Sequence, residues 1–249
     1  MKKTVLILQT RTGLELGDFE GIEKTLLEKK PDFACLPEYF ATKSKKIKAQ
    51  HEEGSKALAR LKKISAKVQR TVIVCGTVVE KNKGKFFSTC FILKSGRIIG
   101  RHRKVFLTKN ELKRGLTAGR TFKTIKAAGL RLGFFICNDV LKPFSAHALA
   151  GKADLIFVPL LSPKRKNDPT AAWRDNLFRL RAFETGTYVV KVGSVGSFLG
   201  EKVVGRSIVA SPWAILWKSE NEEKPCQTLV SLDFNLLNKY RKTEPLYRY

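Results

Sequence analysis

Residues 130–140 read LRLGFFICNDV. An apolar run carries Cys137 to its end, and Asn138 and Asp139 follow at once. Five consecutive buried-type residues with no polar alternation describe a strand covered on both faces. Downstream, PFSAHALAGK (143–152) opens on proline and closes near glycine, as a short helix does. ADLIFVPLL (153–161) is again a continuous apolar run. Strand, helix and buried strand follow in that order, with Cys137 where the first strand gives way to a polar turn.

The same alternation extends both ways. TVLILQT (4–10) reads as a strand, GDFEGIEKTLLEKK (17–30) as a helix capped at Asp18, and PDFACLPE (31–38) as a strand ending at Glu38. EEGSKALARLKKISAKVQR (52–70) spaces Leu58, Leu61, Ile64 and Val68 as an amphipathic helix does. TVIVCGTVVE (71–80), FFSTCFILK (86–94) and GRIIGRHRKVF (96–106) read as three strands. DPTAAWRDNLFRLRAFETG (168–186) reads as a helix with Trp173, Leu177, Leu180 and Glu184 along one side, and further strands follow. The class is α/β. Two packed sheets with helices outside and one doubly wound sheet both fit the periodicity.

The 249 residues are 43% hydrophobic and lack a Gly/Ser/Pro-rich linker, so one domain spanning 1–249 is expected. The apolar stretch after MKK is too short for a signal peptide, and no segment approaches the roughly 20 apolar residues of a membrane span. A soluble, cytoplasmic protein is expected. The five cysteines (35, 75, 90, 137 and 226) are odd in number, widely spaced and without C-x-x-C, which speaks against a disulfide framework or a zinc ribbon. The net charge is +26, but no nucleic-acid motif accompanies it. Diffuse, salt-sensitive adsorption to nucleic acid is the expectation. No phosphate loop, dinucleotide fingerprint or H-E-x-x-H motif occurs, so neither cofactor nor metal is expected.

Reactive groups in α/β folds gather at the carboxyl ends of strands. Glu38 and Cys137 occupy such positions. A cysteine nucleophile needs a base or a cation, because a free thiol has a pKa of roughly 8.5. His147, ten positions on, is one candidate partner. A lysine from GRHRKVFLT is another: successive strand residues alternate faces, so either Arg103 or Lys104 points inward. An inward lysine needs a carboxylate, and Glu38, Glu111 and Asp139 are available.

The order Glu, Lys, Cys, set in LPEYF, GRHRKVFLT and GFFICNDV, resembles the nitrilase superfamily of carbon–nitrogen hydrolases. The likeness runs almost the full length. LTKNELKRGLTAGRTF resembles the loop that carries a second glutamate, and WRDNLFRLRAFETGTYVVKVGSVG the helix and strand after the cysteine region. GRSIVASPWAILW and LVSLDFNLLNKYRKTEP resemble the closing elements. The resemblance implies a four-layer αββα sandwich. It implies Cys137 as nucleophile, Glu38 as general base, Lys104 as electrostatic stabiliser and Glu111 as auxiliary glutamate. The backbone N–H of Asn138 would complete an oxyanion hole. It further implies a homodimer or higher homo-oligomer acting on a small-molecule amide or carbamoyl substrate.

The chain also departs from the family pattern. His102 stands where an aromatic is common, Thr185 and Gly186 follow the helix glutamate, Gly193 replaces an asparagine, and CND replaces the C-W-E of true nitrilases. The last change favours amides over nitriles. Cleavage of a small linear amide or N-carbamoyl compound through a cysteine thioester is the leading reading. Nitrilase or acyl-transfer activity, and a non-catalytic scaffold binding polyanions, are the alternatives.

Overall fold

The computed structural model describes residues 1–243; the last six residues of the expected 1–249 domain lie outside the described residues. In chain order the elements are β1 (Lys2–Gln9), α1 (Leu16–Lys29), β2 (Phe33–Cys35), α2 (Ile47–Lys67), β3 (Val72–Val74), β4 (Val78–Asn82), β5 (Lys85–Lys94) and β6 (Arg97–Arg103). Next come α3 (Lys109–Lys113), β7 (Ile125–Ala127), β8 (Leu130–Phe134), a 3-10 turn at Cys137–Leu141, α4 (Pro143–Leu149), β9 (Leu155–Leu160) and β10 (Ser162–Pro163). The chain continues with α5 (Arg174–Thr185), β11 (Tyr188–Gly193), β12 (Gly196–Phe198), β13 (Glu201–Val204), β14 (Ile208–Ala210), β15 (Ile215–Lys218), β16 (Cys226–Asp233) and α6 (Phe234–Thr243).

One sheet runs β16-β1-β2-β3-β5-β4, with β6 on the other side of β5; a second runs β15-β14-β11-β9-β8-β7. Alternate residues of each strand feed different layers, as the pleat requires. Val5 and Ile7 join Phe33, Val74, Phe134, Phe157 and Val190 in the core between the sheets. Leu6 and Leu8 face the other way, onto Phe19, Ile22, Leu61 and Ile64 of α1 and α2. Phe135, Ile156 and Val189 pack beneath Phe178 and Ala182 of α5. The layers are therefore helix, sheet, sheet, helix. Both sheets are covered twice, which is why their strands read as unbroken apolar runs. The αββα sandwich is the architecture, and of the two arrangements left open by periodicity the single doubly wound sheet is set aside. Among the described residues no helix is long and apolar enough to cross a membrane.

Two sequence expectations are corrected. The run 71–80 is two strands, not one, because Gly76 breaks it at φ +51°. A Cβ there would lie 1.9 Å from the Pro37 carbonyl oxygen, so glycine lets the segment leading to Glu38 cross closely over this break. The helix expected over 168–186 begins at Arg174. The Asp168 carboxylate accepts from the Thr170 N–H and hydroxyl and from Arg174, which holds 168–173 in turns. Its buried face is Phe178, Arg181, Ala182 and Thr185, while Trp173 and Leu180 are exposed. Arg181 faces inward because its Nε donates to the Val140 carbonyl at 2.7 Å and its Nη1 to Glu184 at 2.5 Å.

Candidate active site

Three strand ends converge where the sheets meet. Glu38 lies just beyond β2, Lys104 just beyond β6 and Cys137 just beyond β8. The Lys104 Nζ donates to Glu38 Oε1 at 2.9 Å and to Glu111 Oε1 at 2.8 Å, with lysine and both carboxylates buried. Of the two residues that could face inward, Lys104 does so, while Arg103 turns out to Glu80. Glu111 is placed by α3, where it and Thr108 satisfy each other's backbone N–H in a capping box. Glu38 is fixed at its second oxygen by the Leu161 N–H at 3.0 Å and at its carbonyl by the Ser194 hydroxyl at 2.9 Å.

Cys137 opens the 3-10 turn with φ +46°, a left-handed conformation rare for a residue with a Cβ. This sharp turn leaves the half-buried sulfur 3.7 Å from the Leu161 carbonyl and beside the Glu38 carboxylate. Asn138 follows, its side-chain amide donating to the Phe106 carbonyl at 3.1 Å. As the second residue of a helical turn its backbone N–H has no acceptor within that turn. His147, the other candidate partner, is exposed on α4.

The charges separate into roles. Burial drives the Glu38 pKa above the carboxylate range, with Lys104 opposing and Glu111 reinforcing the shift. Burial also acts on Glu111, but its ion pair with Lys104 and its bonds from Thr108 and Tyr39 bring it below the usual value. Burial disfavours the Lys104 charge, yet Cys137, Glu38 and Glu111 together hold its pKa well above that of a free lysine. Burial and then the Glu38 charge push the Cys137 thiol up, and Lys104 only partly offsets them. Glu111 is thus the standing counter-ion of Lys104. Glu38 is the carboxylate beside the thiol. The two carboxylates thus have pKa values driven in opposite directions.

Four contributors escaped the sequence reading. Tyr39 adjoins Glu38, adopts φ +53°, and donates its hydroxyl to Glu111 Oε1 at 2.9 Å. Arg114 donates to that hydroxyl at 3.2 Å. Leu161 acts only through its backbone, which no residue type announces. Asp139, noted as a possible lysine partner, instead accepts three backbone N–H groups. Its Oδ1 takes Val105 at 3.2 Å and Phe106 at 2.7 Å, and its Oδ2 takes Ile136 at 3.0 Å. It therefore ties the loop after Lys104 to the turn that presents Cys137. Replacing Asp139 with asparagine turns an amide NH2 toward one of these donors. The Asp139→Asn variant is expected to lose about 2–4 kcal/mol, since bonds to a charged acceptor are worth about 1.5–3 kcal/mol each. Urea denaturation at an unchanged m-value reads this directly. A midpoint equal to wild type would show that the clamp carries no weight.

The family model for carbon-nitrogen hydrolases matches residues 22–242. A "Nitrilase" from Pyrococcus abyssi is 28% identical over 172 residues, a stretch covering 68% of this chain and 62% of the relative's length. A "2-oxoglutaramate amidase" from Bacillus subtilis is 28% identical over 203 residues, covering 78% of this chain and 76% of that protein. A carbon-nitrogen hydrolase from Helicobacter pylori superposes with a TM-score of 0.87 at 20% identity, over 100% of this chain and 95% of that one. With the family model running from α1 to α6 and this architecture beneath it, the chain belongs to the carbon-nitrogen hydrolase family.

Proposed function

We propose that the chain is an amidase-type hydrolase, cleaving a small linear amide or N-carbamoyl compound through a thioester on Cys137. The observation that carries this is the buried ammonium of Lys104 bonded at once to Glu38 and Glu111, beside the partly buried Cys137 on a sharp turn. Amidases among the relatives support an amide substrate.

The chemistry runs as follows. Glu38 takes the thiol proton as sulfur attacks the carbonyl carbon. The oxyanion forms against the Lys104 ammonium and the Asn138 backbone N–H. Glu111 keeps Lys104 charged and in place. Collapse of the intermediate breaks the C–N bond, and the proton on Glu38 leaves with ammonia or amine. Glu38 then takes a proton from water, whose oxygen attacks the thioester; the acid departs and the thiol is restored. In this reading residues 1–249 form one cytoplasmic hydrolase domain, working as a homodimer or higher homo-oligomer.

The test is ammonia or amine release by purified protein from a panel of small linear amides, N-carbamoyl compounds and nitriles. Turnover of at least one amide or carbamoyl compound is expected, with nitriles inert. Release from nitriles alone would replace the amidase reading with a nitrilase one.

A further inference from the structure

The surplus of positive charge is segregated, and amide hydrolysis has no use for it. Residues 54–138 hold 21 Lys or Arg and only two acidic residues, Glu80 and Glu111. Both acids are buried and already paired, Glu80 with Arg101 and Arg103 and Glu111 with Lys104. This segment supplies most of α2, β4 to β6 at one margin of the first sheet, and β7 and β8 at one margin of the second. Gly100 of β6 lies directly against Ile125 of β7, so the two margins form one flank of the sandwich. Among the described residues no exposed carboxylate of this segment interrupts that flank.

The cations are contiguous along it. The β5–β6 turn sits on the end of α2: the Ser95 hydroxyl donates to the Gln69 carbonyl, and Gly96 lies against Ala66 and the Lys62 carbonyl. That places Lys94 and Arg97 next to Lys62. Beyond the turn a groove of about 680 Å³ opens between the sheet margins, lined by Lys94, Ile99, Lys126 and Arg131. Its one carboxylate, Asp154, is already held by Arg131 and Arg241. Lys62, Lys94, Arg97 and Lys126 make no ion pair among the described residues.

We propose that this flank docks the phosphate backbone of duplex nucleic acid. A row of unpaired cations without an opposing carboxylate matches a regular array of phosphates, and each phosphate neutralised releases condensed counterions. A duplex fits better than a single strand because no aromatic residue of 54–138 is exposed to stack on bases. It also fits better than a lipid surface, since α2 turns its large apolar residues inward and, apart from Ala59 and Ala66, exposes only polar and charged side chains.

The experiment titrates a labelled random-sequence duplex of about two helical turns against wild type between about 50 and 200 mM salt. A flank variant carries Lys62→Gln, Lys94→Gln, Arg97→Gln and Lys126→Gln. A control variant carries Lys29→Gln, Lys166→Gln, Lys224→Gln and Lys239→Gln, an equal change of charge elsewhere. Wild type is expected to bind at about 150 mM salt (near the cellular value). The flank variant is expected to lose at least about tenfold in affinity, with a log–log salt slope shallower by about 3. The control should stay within about threefold of wild type on the same salt axis. Acetylation footprinting of wild type reads the same contacts without substitution: bound duplex should protect Lys62, Lys94 and Lys126 but not Lys29 or Lys224. Equal losses in the two variants would mean diffuse attraction and overturn the proposal. So would tighter binding to phosphatidylserine vesicles or to single strands than to the duplex, or no binding at about 150 mM salt. Amide turnover is read separately in every variant, so failure of this surface leaves the hydrolase reading standing.

Discussion

Cys137→Ala is expected to bring turnover below detection, a loss on the order of 10⁴-fold or more, the scale seen when a nucleophile that acts as a unit with its base is deleted. The fold should survive. The strained φ of +46° costs alanine no more than cysteine, since both carry a Cβ, and the sulfur donates only a long bond to Leu161. A substrate-derived acyl adduct should appear on wild type by mass and map to Cys137 alone. The other cysteines are poor competitors. Cys35, Cys75 and Cys90 are buried, and the Cys226 thiol has Thr228 as its side-chain partner, whereas Cys137 has the Glu38 carboxylate beside it to take its proton. Substantial activity in Cys137→Ala, or an adduct on any other cysteine, would break the proposed mechanism at its first step.

What made Cys137 legible was a local change of character, apolar strand to polar turn, and the same change marked Glu38. Lys104 was legible because strands alternate faces, which reduced the choice to two neighbours. Through-space partners were not. Asp139 binds three backbone amides and Leu161 offers only its own N–H, so neither role follows from residue type or spacing. The α5 face was misjudged for a related reason. Hydrophobic spacing pointed to Trp173 and Leu180, yet Arg181 lies inside because a buried carbonyl waits for its guanidinium. Gly76 was visible as a glycine, but the closeness of Pro37, whose carbonyl oxygen would lie 1.9 Å from any Cβ there, belongs to the folded chain. The charge shows the converse. The scarcity of acid between residues 54 and 138 is plain in the sequence, and only the pairing of strands turns it into one flank.

Removing the Lys104 cation separates catalysis from stability. Lys104→Met is expected to lower kcat at least about 10²-fold, the scale of a single oxyanion donor. It should also destabilise the fold by about 3–5 kcal/mol, because Glu38 and Glu111 are left buried and unpaired. Without the cation, burial and mutual repulsion raise both pKa values, opposed only by hydrogen bonds such as those from Thr108 and Tyr39 to Glu111 and from Leu161 to Glu38. The folded variant holds protons that its unfolded chain releases, so its stability must fall as pH rises above the ordinary carboxylate range of about 4. Wild type shows this fall only through Glu38, whose pKa is already raised, while the lowered pKa of Glu111 opposes it; its Lys104 pKa is raised, so that contribution is complete at neutral pH and is lost only in strongly alkaline solution. Any remaining activity in Lys104→Met should show its acid limb displaced to higher pH, because the lysine no longer helps Glu38 to ionise. Adding Glu38→Gln to Lys104→Met removes one buried charge. The double variant should therefore regain thermal stability over Lys104→Met while remaining inactive. If stability and activity returned together, Lys104 would be only a structural ion. If the single variant kept wild-type kcat, the oxyanion would need another donor, and the Asn138 N–H would have to act alone.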